Sequence, residues 1–200
     1  KKIFIMGAST GIGKALALKY AKQNVILGLA ARRIDLLENV AEACRKLSAK
    51  THIYKVDVTN EKDCSKSAND FVNIAGGIDI VINNASAISL TPTIDTTLKR
   101  FDLMMDVNMR ATFACSQACI PHLLQANNPH IINIAPPLNM AAKWFNQLGG
   151  SAGNFNLTNT SELFSSLVEL GQHPKERADT ITVMEKIGHF LDSEVRKLYK

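Results

Sequence analysis

Short apolar runs alternate with longer amphipathic segments over the first 135 residues. Short runs bounded by glycine or polar residues are typical of buried strands, whereas the longer segments repeat their apolar positions every three or four residues, as helices do. Predicted strands cover Ile3–Met6, Val25–Ala30, His52–Val56, Ile78–Ile82 and Ile131–Ile134, with Asp79 as a polar interruption of the fourth.

The predicted helices lie between these strands. They cover Lys14–Gln23, Leu36–Leu47, Cys64–Ala75 and Leu98–Gln125, and Pro121 is expected to kink or end the last of them. Strands that alternate with helices in this way favour a parallel sheet covered by helices on both faces. The sequence therefore predicts a doubly wound α/β fold.

The pattern changes after Gln147. Gly149–Gly153 is rich in glycine, and a weakly patterned polar stretch follows it before an amphipathic helix predicted over Thr180–Tyr199. The apolar stripe of that helix is typical of core packing and, less often, of a subunit interface. We expect a single domain over residues 1–200, with a clearly patterned part over 1–147 and an incomplete or atypical C-terminal part over 148–200.

Composition and charge narrow the classes of protein. A hydrophobic fraction of 46% with 20% charged residues is typical of a globular domain, and no apolar run reaches the roughly 18 residues that a membrane span needs. The net charge of +5 comes from basic residues that are scattered among acidic ones, which argues against nucleic acid as a partner. The chain begins with an apolar strand and without Met, so we expect no signal peptide and further residues upstream.

The four cysteines form no Cys-x-x-Cys pair and have no cluster of histidines beside them. We therefore expect reduced thiols in the core, no metal site and a cytoplasmic location. Cys115 and Cys119 are four residues apart on a predicted helix and should share one of its faces.

A glycine motif lies between the first strand and the first helix. Its spacing is Gly-x-x-x-Gly-x-Gly, and this is where backbone N–H groups and the positive end of a helix dipole bind a pyrophosphate. The candidate cofactor-binding residues of this turn are Gly7, Ser9, Thr10, Gly11, Ile12 and Gly13.

The end of the second strand bears on the choice of cofactor. NAD-selective sites usually place an acidic residue here to accept from the ribose 2′-hydroxyl, but this chain has Ala31 followed by Arg32 and Arg33. A guanidinium can bind a 2′-phosphate instead. The sequence favours NADP, with NAD as the alternative. Another interpretation of the arginines, of Arg33 above all, is that they are solvated residues that open the next helix.

Three further motifs occur in order along the chain. Asp57-Val58 ends the third predicted strand, Asn83-Asn84-Ala85-Ser86 follows the fourth, and Val107-Asn108 lies in the long helix. Together with the glycine motif they resemble the short-chain dehydrogenase/reductase family, over about three-quarters of the chain. The stretch from Asn83 to Phe145 resembles the hydroxysteroid dehydrogenase-like branch of that family.

The resemblance implies a Rossmann fold and hydride transfer between a nicotinamide and a small carbonyl or secondary alcohol substrate. It also implies that Asp57 and Val58 contact the adenine, that Asn84, Ala85 and Ser86 line the cofactor site, and that the protein is a homodimer or homotetramer.

The resemblance also implies a catalytic group made of a Tyr, a Lys four residues later, a Ser and the helix Asn. Asn108 matches that Asn, although a structural residue at a helix bend is the other interpretation. Pro136 stands where the Ser is expected, as it tends to do in the hydroxysteroid dehydrogenase-like branch. None of Tyr20, Tyr54 and Tyr199 has a Lys four places on.

Two hypotheses explain the missing Tyr-x-x-x-Lys pair. In the first, the pair belongs to a segment outside these 200 residues, near a junction at Gln147, and the whole protein is an NADP-dependent enzyme. In the second, the protein binds a dinucleotide without catalysing a reaction.

Overall fold

The computed structural model describes residues 1–89, 91 and 95–135, and within them five parallel strands form one sheet. These are β1 (Lys2–Met6), β2 (Ile26–Ala31), β3 (Lys50–Lys55), β4 (Ile80–Asn83) and β5 (His130–Asn133). Their order is β3-β2-β1-β4-β5. The connections change direction between β1 and β4, and in open α/β sheets such a switch point opens a crevice at the carboxyl ends of the strands. The predicted doubly wound Rossmann fold is confirmed.

Helices connect the strands on both faces of the sheet. They are α1 (Gly11–Ala21), α2 (Ile34–Lys46), α3 (Glu61–Ala75), α4 (Leu98–Met105) and α5 (Ala111–Leu123), and a π-helical turn over Asp106–Arg110 joins α4 to α5. Polar side chains set two of the helix starts, because the oxygens of Asn60 and Thr97 accept backbone N–H groups in the first turns of α3 and α4. No helix in the described part of the chain is both long and apolar enough to cross a membrane.

Successive side chains of β1 belong alternately to two core clusters, one on each face of the sheet. Ile3 and Ile5 belong to a buried cluster that includes residues of α1 and α2, whereas Phe4 and Met6 belong to a second cluster that includes residues of α3 and α5. Successive side chains of a strand point to opposite faces, so a strand covered on both sides must be apolar at every position. This explains why the run Ile3–Met6 is apolar throughout.

The boundaries of several elements differ from the sequence predictions. β3 ends at Lys55, so Asp57 and Val58 lie in the loop after it and not at its end. Asn83 is the last residue of β4 and does not follow that strand. Asp79 precedes β4, where its carboxylate accepts the Lys2 N–H at 2.8 Å and thereby joins the start of β4 to β1.

The long helix predicted over Leu98–Gln125 is interrupted by the π-helical turn and ends at Leu123. Pro121 lies inside the last turn of α5, so the helix ends near Pro121 but continues past it to Leu123. The predictions for residues 148–200 lie outside the described residues.

Candidate cofactor and active site

The glycine-rich turn joins β1 to α1 and is fixed to the neighbouring strand. The N–H groups of Gly7 and Ala8 donate to the carbonyl oxygen of Ala30 at the end of β2, at 2.8 and 3.1 Å. α1 then begins at Gly11, after Thr10 in extended conformation. The Thr10 side chain makes no capping hydrogen bond and the first turn contains no acidic residue. The start of α1 therefore presents backbone N–H groups and a positive dipole end to an anion.

Two glycines allow the backbone of this turn to approach its neighbours closely. Gly7 has φ +82°, and a Cβ atom there would lie 2.7 Å from the backbone nitrogen of Ala85. A Cβ atom on Gly13 would lie 2.2 Å from the carbonyl oxygen of Gly7. The predicted glycine motif thus closes the turn between β1 and α1 and brings it against the loop after β4. Of the other predicted residues, Ile12 packs on the core, Ser9 is half-buried, and Thr10 and Gly11 are exposed.

The loop after β4 is held against the glycine-rich turn by a side chain. The carboxamide of Asn84 donates to the carbonyl oxygen of Gly7 at 2.8 Å. Ala85 is half-buried and Ser86 is exposed. The predicted residues Asn84, Ala85 and Ser86 therefore lie beside the turn, at the switch point of the sheet.

Arg32 and Arg33 follow the end of β2, and both are exposed. Arg33 directly precedes α2, as the helix-opening interpretation predicts. Its guanidinium nevertheless reaches back to the glycine-rich turn and donates to the hydroxyl of Thr10 at 3.3 Å. The positive charge at this edge of the sheet therefore faces the start of α1.

Asp57 lies at the adjoining edge, in the loop between β3 and α3. One carboxylate oxygen accepts the hydroxyl and the backbone N–H of Thr59, at 2.8 and 3.1 Å. These two hydrogen bonds hold the pKa of Asp57 below its ordinary value, and the positive charge of Arg32 adds to their effect while partial burial opposes it. Val58 is half-buried against the core cluster under α3.

Asn108 lies in the π-helical turn, and its side chain binds the loop after Ser86. Its carboxamide oxygen accepts the Ala87 N–H at 2.9 Å, and its NH₂ group donates to the Ala87 carbonyl at 2.8 Å. Its own carbonyl oxygen accepts the hydroxyl of Thr112 at 2.8 Å. Asn108 therefore positions the backbone that leads out of the candidate cofactor site. The catalytic role that the resemblance implies for Asn108 remains a prediction.

Sequence reasoning missed a buried polar group beneath this loop. The Asn83 carboxamide donates to the hydroxyl of Ser116 and to the side-chain oxygen of Asn133, both at 2.9 Å. Asn83 and Asn133 are paired in register at the carboxyl ends of β4 and β5. Each Asn directly follows an apolar run in the sequence, and that repetition is a signal from which the contact could have been predicted.

Neither tyrosine of the described part of the chain is suited to be the catalytic phenol. The Tyr54 ring makes edge-to-face contacts with Phe4 and Phe71, and burial raises the pKa of Tyr54 to about 12. Tyr20 lies in α1, and burial raises its pKa as well. A phenol that acts as a base near neutral pH needs a lowered pKa. Pro136 and Tyr199 lie outside the described residues.

An open cleft lies beside the candidate cofactor site, and Ala87, the residue after Ser86, is part of its lining. Its volume is about 510 Å³, and it lies between the loop after β4 and α4. The lining of the cleft includes Ala87, Ile88, Ser89, Arg100, Leu103 and Met104.

Within the described ranges, no three His, Cys, Asp or Glu side chains form a group that could hold a metal ion.

The four motifs thus meet at one edge of a doubly wound sheet, which is the arrangement of a nucleotide-binding domain. The family model for short chain dehydrogenases matches residues 1–143. The chain belongs to the short-chain dehydrogenase family, and the resemblance noted from the sequence is confirmed.

Known relatives match the same part of the chain. Hydroxysteroid dehydrogenase-like protein 2 of Homo sapiens is 45% identical over 152 residues, which are 72% of this chain and 36% of that protein. This chain therefore spans little more than a third of the length of that relative.

Solved structures of dehydrogenases are also similar to this chain. A protein of Xanthomonas campestris described as a dehydrogenase is 40% identical, with a TM-score of 0.72 over 79% of this chain and 62% of that one. A xylitol dehydrogenase with bound NAD⁺ is 25% identical, with a TM-score of 0.67 over 77% of this chain and 60% of that one.

Proposed function

We propose that this chain is the dinucleotide-binding part of an NADP-dependent oxidoreductase that acts on a small carbonyl or secondary alcohol. The observation that carries the proposal is that the glycine-rich turn and Asn84 lie at the switch point, with the arginines after β2 and Asp57 after β3 further along the same edge of the sheet. Family membership and the NAD⁺ bound to the xylitol dehydrogenase support the class of cofactor.

The pyrophosphate of the cofactor would lie over the start of α1. Two features of the turn fit it: a helix start without an acidic residue or a side-chain cap, and a backbone approach that a Cβ at Gly7 or Gly13 would block. Anions are stabilised at such a position by the free N–H groups and by the helix dipole.

The adenosine end would lie between β2 and the loop after β3. Asp57 and Val58 follow β3 and would face the adenine. Arg32 and Arg33 would bind a 2′-phosphate, and Ala31 leaves no carboxylate to repel it. An acidic residue in place of Ala31 would favour NAD. This charge distribution supports NADP as the cofactor.

The nicotinamide end would lie toward the loop that Asn108 holds. When bound, the nicotinamide supplies the hydride or accepts it. The contribution of this chain is to orient that end of the site through the two hydrogen bonds between Asn108 and Ala87. The carbonyl or alcohol would enter through the cleft beside Ala87, and the Tyr and Lys that move its proton would come from outside the described residues.

Binding of NADPH and NADH to the intact protein tests the proposal. We expect saturable binding of both, with NADPH the tighter ligand, and substrate-dependent oxidation of NADPH with members of a carbonyl panel. Binding of neither dinucleotide at millimolar concentration would overturn the proposal. Binding without turnover on any carbonyl would leave a dinucleotide-binding protein that is not an enzyme.

The variant Arg32→Ala tests the choice between the two cofactors. A charge-assisted hydrogen bond contributes about 1.5–3 kcal/mol, so the affinity for NADPH should fall roughly tenfold or more while that for NADH changes little. Lys22→Ala is the control, because Lys22 is an exposed cation at the opposite end of α1. Equal losses for both dinucleotides, or an equal loss in the Lys22 variant, would contradict a specific 2′-phosphate contact.

A further inference from the structure

Two thiols lie in contact in the core between α3 and α5. The sulfur of Cys64 on α3 is 2.9 Å from the sulfur of Cys115 on α5, and each residue is 1% exposed. Both cysteines are reduced. This separation is within about 1 Å of the roughly 2.05 Å length of a disulfide bond, so a small side-chain movement would bring the two sulfurs to bonding distance.

The other two cysteines are placed differently. Cys119 lies one turn further along α5 and is as deeply buried, but its sulfur makes no hydrogen bond to Cys64 among the described contacts. Cys44 lies in the core cluster on the opposite face of the sheet. Proximity therefore distinguishes the Cys64–Cys115 pair from its neighbours.

The hydrogen bond between the two thiols shifts their pKa values in opposite directions. The Cys115 thiol donates to the sulfur of Cys64 and lowers the pKa of Cys64, although burial and the carboxylates of Asp63, Asp57 and Glu61 oppose this effect. The same hydrogen bond and burial raise the pKa of Cys115. Cys64 is therefore the group that ionises first and the better nucleophile.

We propose that Cys64 and Cys115 are an oxidisable pair that closes to a disulfide between α3 and α5 when the protein meets hydrogen peroxide. The Cys64 sulfur attacks one peroxide oxygen and the O–O bond breaks, which gives a sulfenic acid and one water. The Cys115 sulfur then attacks the Cys64 sulfur and the S–O bond breaks, and the leaving hydroxyl takes the Cys115 proton as a second water. The two thiols lose two electrons in total, and these reduce the peroxide.

The disulfide would join two helices that border the candidate cofactor site: α3, which follows the loop of Asp57, and α5, which follows the π-helical turn of Asn108. The Cys64 N–H donates to the Asn60 carbonyl in the first turn of α3, close to the loop that carries Asp57. Cys115 lies one turn after the start of α5, which follows the π-helical turn of Asn108. This proposal does not depend on the identity of the cofactor.

Peptide mapping of the full chain tests the proposal. The folded protein is treated with hydrogen peroxide in buffer without denaturant, its free thiols are blocked, and it is digested with trypsin. Cleavage after Lys and Arg places Cys64 alone in Asp63–Lys66, and Cys115 together with Cys119 in Ala111–Lys143. In the Cys119→Ala variant we expect these two peptides to be cross-linked, and dithiothreitol to release them.

The matched control is Cys115→Ala, which keeps Cys119 on the same helix and should give no cross-link to Asp63–Lys66. A cross-link in that variant would overturn the assignment of the pair, as would blocked but unlinked thiols in Cys119→Ala. Fragment-ion spectra of the cross-linked wild-type peptides distinguish Cys115 from Cys119 without any variant, so the result stands even if Cys115→Ala does not fold.

Discussion

At the scale of single residues, Asn108 joins two parts of the molecule through one carboxamide. Both polar atoms of its side chain bind the backbone of Ala87, and the residue is 7% exposed. The π-helical turn places the residue there, because an inserted residue rotates the following helix relative to α4. A side chain in this position aligns the loop after β4 through its two hydrogen bonds to Ala87.

Replacement of Asn108 by Ala should lower the free energy of unfolding by about 2 kcal/mol. The variant leaves the N–H and the carbonyl of Ala87 without these partners, and an unsatisfied buried polar group costs about 1–3 kcal/mol. Urea denaturation measures the loss. Asn73→Ala is the control, because Asn73 is exposed on α3 and should change the stability by less than about 0.5 kcal/mol. Equal values for the two variants would contradict the role assigned to Asn108.

The pKa of Asp57 depends on its hydrogen bonds to Thr59 and can therefore be used to test them. NMR titration of its carboxyl carbon should give a midpoint below the ordinary Asp value of about 3.9, because Thr59 stabilises the charged form. The variant Thr59→Ala should raise that midpoint, and Thr59→Ser, which keeps the hydroxyl, should not. An unchanged midpoint in the alanine variant would contradict the hydrogen bond at 2.8 Å.

The sign of the effect on stability follows from the direction of this pKa shift. A carboxyl group whose folded pKa is lowered stabilises the folded state above the unfolded pKa, near pH 4, and this contribution is lost as the pH falls through the folded value. Asp57 is exposed, so solvent screening keeps its contribution small. The acid limb of the stability curve should therefore differ only slightly between the wild type and Thr59→Ala.

At the scale of elements, the sequence predicted the strands and helices because their apolar periodicity is local. It could not predict the π-helical turn, since one inserted residue barely changes the apolar spacing of a long helix. The contact from Asn84 to Gly7 spans 77 positions, and no local pattern encodes it. The location of the motif residues that follow the strands was predictable, because the carboxyl ends of parallel strands lie at one edge of the sheet.

The packing of α1 on the glycine-rich turn gives a prediction about two glycines. Gly13→Ala should destabilise the fold by about 2–3 kcal/mol and weaken dinucleotide binding, because its Cβ would lie 2.2 Å from the Gly7 carbonyl oxygen. Gly11→Ala meets nothing within 4 Å, although its φ of +56° should cost about 1 kcal/mol. Thermal unfolding and dinucleotide titration of both variants measure the difference. A larger effect at Gly11 than at Gly13 would contradict the close approach.

At the scale of the whole molecule, the candidate cofactor site lies where four strands of the sheet meet their following loops. A dinucleotide bound there would contact the start of α1, the ends of β2 and β3, and the loop after β4 at once. Each of these segments is joined to another by a long-range hydrogen bond or charge interaction, as in Asn84 to Gly7 and Arg33 to Thr10. Binding should therefore stabilise the fold as a unit and not one loop alone.

Thermal unfolding of the intact protein measures this stabilisation. A ligand at 100 times its dissociation constant contributes about 2.7 kcal/mol, which corresponds to a rise in Tm of roughly 5–10 °C for a domain of this size. NADPH should raise the Tm more than NADH at equal concentration, and Arg32→Ala should reduce that difference. In Gly13→Ala, where the turn is forced open, the shift should be smaller for both dinucleotides. A full shift in Gly13→Ala would contradict the placement of the pyrophosphate over this turn.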